Sequence, residues 1–190
     1  MMKMLCVGDS LVDGYPFGRA DSFPAVIEKI TDTEVINAGI SGQSSAEILR
    51  RFPEELRRAG DDLGTVLILC GSNDYIFSIC EPEKTMEHIR GMISASENEC
   101  ERILLCAPPL CIPEQASRQW ADMPPSEYDA VNEKLKMLRD MLESEAAGRS
   151  SADFFDLQEM YKGFASYVDG VHPVREGYRI IGERIAEEFC

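Results

Sequence analysis

Residues 4–14 read MLCVGDSLVDG, an apolar run that stops abruptly at a glycine, an aspartate and a serine. The run Lys3–Gly8 has the length of a strand, and Ser10 stands just past its end. The pattern recurs in TEVINAG (33–39), TVLILCG (65–71), RILLCAP (102–108) and ADFFDL (152–157). The middle runs are apolar at both alternating positions, as a parallel sheet covered on both faces requires.

Helical patterns fill the gaps. Pro24 fits the first turn of a helix reaching about Ile30, capped by Asp21 or Ser22. Ser44, Ser45, Ala46 and Glu47 form a capping-box pattern opening a second helix, which Pro53 should kink or divide. A third runs from Pro82 to Ser96, and a fourth sets Val131, Leu135, Leu138 and Leu142 on one stripe. The last begins near Pro173 and turns Val174, Tyr178, Ile181 and Ile185 inward. This alternation predicts an α/β fold in one domain spanning 1–190. Its expected form is a three-layer α/β/α sandwich with a parallel sheet of five strands and flavodoxin-like topology.

Composition narrows the function. The 190 residues are 44% hydrophobic and 28% charged, an ordinary globular balance with enough chain for a sizeable core. A net charge of −15 repels phosphate backbones and anionic membranes, so no nucleic-acid partner is expected. Too few apolar residues follow Lys3 for a leader, and no run reaches membrane length. Hence the chain is expected to lack a membrane span and to be cytoplasmic. The seven cysteines include no C-x-x-C pair, and the two histidines lie far apart. Neither a disulfide framework nor a metal site is expected, and Cys6, Cys70 and Cys106 read as buried thiols.

In a parallel sheet the C-terminal ends of all strands point to one edge, where ligands bind. The first strand delivers Ser10 there, the second the glycine-rich NAGISGQSS with Gly42, and the third GSND with Asn73. DGVHP, holding Asp169 and His172, precedes the last helix. These are the residue types acyl transfer needs. A serine hydroxyl attacks well only when a base removes its proton, and an imidazole titrating near neutrality suits that task. A carboxylate on the other ring nitrogen fixes the tautomer. The Ser10 and Gly42 N–H groups and the Asn73 amide would meet the developing oxyanion.

The segments GDSL (8–11), NAGISG (37–42), GSND (71–74) and DGVHP (169–173) resemble, in order, the four blocks of the SGNH hydrolases, or GDSL-type esterases and lipases. The resemblance implies a flavodoxin-like sandwich and a carboxylic ester hydrolase working through an acyl-enzyme. It implies Ser10 as nucleophile, Asp169 and His172 as its partners, and Ser10, Gly42 and Asn73 as the oxyanion hole. Ser72 stands where glycine or threonine is common in the third block. No cofactor is implied, and the partner is a small-molecule ester; oligomeric state is not legible. An acyltransferase with the same residues and a non-catalytic flavodoxin-like binding domain are the alternatives. If His172 is the base, activity should fall as it protonates, near pH 6–7 for an ordinary imidazole.

Other residues carry weaker signals. Asp9 and Asp13 read as turn or cap residues, and Asp74 as a brace for its own loop. His88, beside the apolar stripe of Met86, Ile89 and Ile93, is expected to be solvated and dispensable for turnover. The proline-rich stretch 108–125 contains the only tryptophan. Leu110, Ile112 and Trp120 are its candidates for lining an acyl pocket.

Overall fold

The structure, a computed structural model, describes residues 2–161 and 166–190. Five strands form one parallel sheet: β1 (Lys3–Gly8), β2 (Glu34–Gly39), β3 (Leu63–Leu69), β4 (Arg102–Ala107) and β5 (Ala152–Asp156), in the order β2-β1-β3-β4-β5. The nine helices among the described residues are α1 (Ser10–Asp13), α2 (Phe23–Ile30), α3 (Ser45–Ala59), α4 (Ser72–Ile76), α5 (Pro82–Ser96), α6 (Pro113–Gln119), α7 (Pro125–Ala147), α8 (Leu157–Tyr161) and α9 (Arg175–Phe189). A 3₁₀ turn occupies Arg19–Asp21. None of these helices is long and apolar enough to cross a membrane.

Side chains leave a strand alternately to its two faces, and both faces are apolar here. Leu5 and Val7, Val66 and Ile68, and Ile103 and Leu105 join the inner stripes of α3, α5 and α7. Met4 and Cys6, Leu67 and Leu69, and Leu104 and Cys106 meet Phe23 and Ile27 of α2 and Tyr178, Ile181 and Ile185 of α9. Val131, Leu135, Leu138 and Leu142 are buried as their spacing requires. Val174, by contrast, is the N-cap of α9 rather than part of its inner face.

Pro53 does not divide its helix: α3 runs unbroken from Ser45 to Ala59. Its ring stands on the exposed side of the helix. Ile48, Phe52, Leu56 and Ala59 keep the other side anchored in the core.

The register leaves the C-terminal ends of the central strands level, with Gly8 opposite both Gly39 and Leu69. The chain leaves β1 toward β2 on one side and returns to β3 on the other, so the strand order reverses between β1 and β3. Ser10 and Asn73 follow these two strands.

Candidate active site

At the end of β1, Asp9 caps α1 by accepting from the Leu11 N–H at 3.0 Å. That short helix holds Ser10 at the crevice, 8% exposed. Ser10 Oγ lies 2.9 Å from His172 Nε2, and His172 Nδ1 lies 2.8 Å from Asp169 Oδ2. The other oxygen of Asp169 accepts from the backbone N–H groups of Val171 (2.9 Å) and His172 (2.8 Å). Burial alone would raise the Asp169 pKa, but the bonds from His172 and Val171 outweigh it and hold the carboxyl below its usual range. An ionised Asp169 keeps a proton on Nδ1, which leaves Nε2 free to accept from Ser10.

The segment carrying Asp169 and His172 is clamped from outside. Its ends meet at an antiparallel bridge between Tyr167 and Pro173. The Ile112 N–H donates to Gly170 O at 2.8 Å. Gly170 has φ +86°, and a Cβ there would lie 2.3 Å from the Ala116 nitrogen. Only glycine gives both the left-handed turn and the close approach of α6. Asn132 of α7 anchors the preceding stretch, exchanging bonds with Cys111 N (2.8 Å) and Cys111 O (3.0 Å).

Gly42 and Asn73 come to the same edge. Gly42 has φ +84°, and a Cβ there would meet nothing within 4 Å, so backbone conformation rather than space demands glycine. Asn73 donates one amide hydrogen to Gln43 O at 2.9 Å, which joins the two loops. Its second amide hydrogen has no partner among the described residues.

Several contacts were not legible beforehand. Tyr15 and Trp120 each pack 4.6 Å from the His172 ring, centroid to centroid, and 5.7 Å from each other. With them His172 is 1% exposed. Trp120 Nε1 is buried with no hydrogen-bond partner among the described residues. Tyr15 follows Ser10 by one α1 turn and a glycine, which was its only sequence signal. Arg51 of α3 donates to Gly8 O (3.1 Å) and Ala38 O (2.7 Å), tying the ends of β1 and β2 together.

Of the three residues proposed to line an acyl pocket, Trp120 packs on the His172 ring. The proline-rich stretch contains α6. Leu110 borders a surface groove with Lys136, Arg139 and Gln158. Ile112 packs against the core cluster that includes Phe23 and Tyr178, and serves the site through its backbone. Asp13 pairs with Arg19 (3.1 Å) and accepts from Ser41 Oγ (2.8 Å). Asp74 braces its own loop, accepting from Cys80 Sγ at 3.2 Å, and also the neighbouring loop through Ser45; His88 is half-buried and hydrogen-bonded rather than solvated.

Asp9 is itself 1% exposed, and its Oδ2 has no partner among the described residues. Burial, only partly opposed by the Leu11 bond and nearby His172, pushes its carboxyl from 3.8 up to about 6. The folded state thus binds this proton more tightly than the unfolded chain. The contribution to stability is complete below 3.8 and lost as the pH rises through about 6. Asp9→Asn cannot ionise and escapes that loss. In urea titrations, its stability relative to wild type should improve by ~2–3 kcal/mol from about pH 4 to 6.5, then level off. A difference independent of pH would show that Asp9 is not buried as a strained acid.

Comparison with known proteins agrees with this geometry. The GDSL-like Lipase/Acylhydrolase family matches residues 6–180. An arylesterase of Vibrio mimicus is 27% identical over 192 residues, covering 98% of this chain and 88% of its own. The thioesterase 1/protease 1/lysophospholipase L1 of Escherichia coli is 26% identical over 189 residues, 98% of this chain and 82% of its own. A solved member of the lipolytic protein G-D-S-L family from Veillonella parvula has a TM-score of 0.81 at 18% identity, covering 100% of this chain and 98% of that one. With the sheet order, the four sequence blocks and the family match in agreement, the chain belongs to the GDSL-like lipase/acylhydrolase family and is an ester-hydrolysing acylhydrolase.

Proposed function

We propose that Ser10 is the nucleophile of this acylhydrolase, His172 its general base and then acid, and Asp169 the group that orients the imidazole. The observation that carries the reading is the unbroken chain Ser10–His172–Asp169, with links of 2.9 and 2.8 Å. Ser10 Oγ attacks the ester carbonyl as its proton passes to His172 Nε2. The tetrahedral oxyanion is met by the Ser10 and Gly42 N–H groups and the free Asn73 amide hydrogen. Collapse returns the proton to the departing alcohol and leaves Ser10 acylated. Water, deprotonated by the same imidazole, then releases the acid.

The rim favours a small apolar ester. Tyr15, Ile40, Phe77, Ile79 and Val168 are exposed large hydrophobic residues on the segments that follow strand ends or flank Asp169. Tyr15 and Trp120 add aromatic surface beside His172. Short acyl or aryl esters suit this surface, as the similarity to an arylesterase also supports. Hydrolysis of p-nitrophenyl esters from acetate to decanoate tests it, with kcat/KM expected to peak among the short chains. A steady rise to the longest chain would overturn the short-acyl reading. Seven free thiols suit a reducing cytoplasm as the place of action.

A further inference from the structure

Gly42 and Asn73 belong to different loops, so an oxyanion site built from them depends on how those loops are held together. One tie is the Asn73 bond to Gln43. The other runs through Asp74, whose side chain is fully buried. Asp74 Oδ2 accepts from the Ser45 N–H at 2.9 Å, and Oδ1 accepts from Ser45 Oγ at 2.5 Å and from Cys80 Sγ at 3.2 Å. Among the described residues no lysine or arginine pairs with Asp74, so neutral donors alone hold this carboxylate. Ser45 Oγ also lies 2.8 Å from His88 Nδ1 on α5.

Counting protons gives this chain a direction. The Ser45 hydroxyl has a single hydrogen. With Asp74 ionised, a hydrogen pointed at His88 would leave Ser45 Oγ and the carboxylate oxygen facing each other 2.5 Å apart with no proton between them. The hydrogen therefore lies toward Asp74, and the bond to His88 uses a proton on Nδ1. His88 donates to Ser45, and Ser45 donates to Asp74, the residue next to Asn73.

We propose that His88 is a positioning residue for the reaction. Through Ser45 and Asp74 it fixes the loop bearing Gly42 against the loop bearing Asn73, and with them the oxyanion donors. This inference rests on the assignment of Gly42 and Asn73 as those donors. A misplaced donor weakens transition-state binding without altering ground-state binding, so the loss belongs in kcat.

Four variants test it on p-nitrophenyl acetate, each with its thermal midpoint recorded. His88→Ala should lower kcat about tenfold with KM within about twofold, less than the ~10²–10³ of losing a donor outright. His88→Asn, whose amide nitrogen takes the place of Nδ1, should return kcat to within about threefold of wild type. His88→Gln places its amide at the Nε2 position and should behave like His88→Ala; should the alanine variant not fold, it serves in its place. Asn73→Ala separates the two levels of the argument. If it lowers kcat by ~10²–10³ while His88→Ala or His88→Gln stays within twofold of wild type, the His88 inference alone is overturned. If Asn73→Ala leaves kcat intact, the oxyanion assignment itself fails. Equal losses in His88→Asn and His88→Gln would likewise overturn the inference, because the role would then be packing and not the Nδ1 bond.

Discussion

Ser10→Ala is expected to lower kcat on p-nitrophenyl acetate by about 10⁴–10⁶ while the protein stays folded. The substitution removes the atom that forms the acyl-enzyme, and the neighbouring Ser41, Ser44 and Ser45 hydroxyls cannot replace it. Ser44 Oγ and Ser45 Oγ are committed to Glu47 and Asp74, and Ser41 Oγ to Asp13. The remaining rate would come from the oxyanion donors and substrate binding acting on water. One side-chain bond to His172 is lost, so stability should fall by only ~1 kcal/mol. His172→Ala should match this loss, because residues acting as one unit do not contribute independently. A Ser10→Ala variant within tenfold of wild type would refute the nucleophile assignment.

Asp169→Asn is expected to cost about 10⁴ in kcat, although it preserves the size and most of the hydrogen bonding of the side chain. Asp169 serves two masters: one oxygen receives the Val171 and His172 N–H groups, and the other receives His172 Nδ1. An asparagine has a single oxygen. If that oxygen keeps the two backbone donors, its NH₂ faces Nδ1, which must then become an acceptor. The ring proton moves to Nε2, and Nε2 can no longer take the Ser10 proton. The substitution acts through tautomer, so the structure should change little while turnover collapses. It should also remove the stability that ionised Asp169 supplies above its unfolded pKa and that is lost as the pH falls through its lowered folded value. Activity within a few-fold of wild type would mean that His172 does not depend on Asp169 for its tautomer.

Much of this architecture was legible because it rests on short-range rules. Apolar runs such as VLIL (66–69) are apolar on both faces only because helices cover both, and that fixes a parallel sheet. Since parallel strands share an edge, Ser10, Gly42, Asn73 and His172 converge without any knowledge of distance. What stayed hidden depends on long-range packing. Pro53 leaves α3 undivided, on the wet face of an amphipathic helix opposite the buried Phe52 and Leu56. The helix α6 inside the proline-rich stretch was not legible, because composition alone does not place a helix there. The link from Asp74 to Ser45 joins residues 29 apart in sequence, and local reading assigned Asp74 to its own loop. His88 did leave a trace: it lies three residues after buried Thr85 and four before buried Met92, at the margin of the inner stripe of α5.

Activation of Ser10 by His172 and Asp169 is open to a direct test with a fluorophosphonate probe. An activated serine oxygen displaces fluoride from phosphorus and leaves a stable phosphonyl ester that mass spectrometry of peptides can locate. A single adduct on Ser10 is expected, forming in step with loss of esterase activity and far more slowly in Asp169→Asn. Loss of activity with the adduct on another serine, or full activity with Ser10 modified, would contradict it.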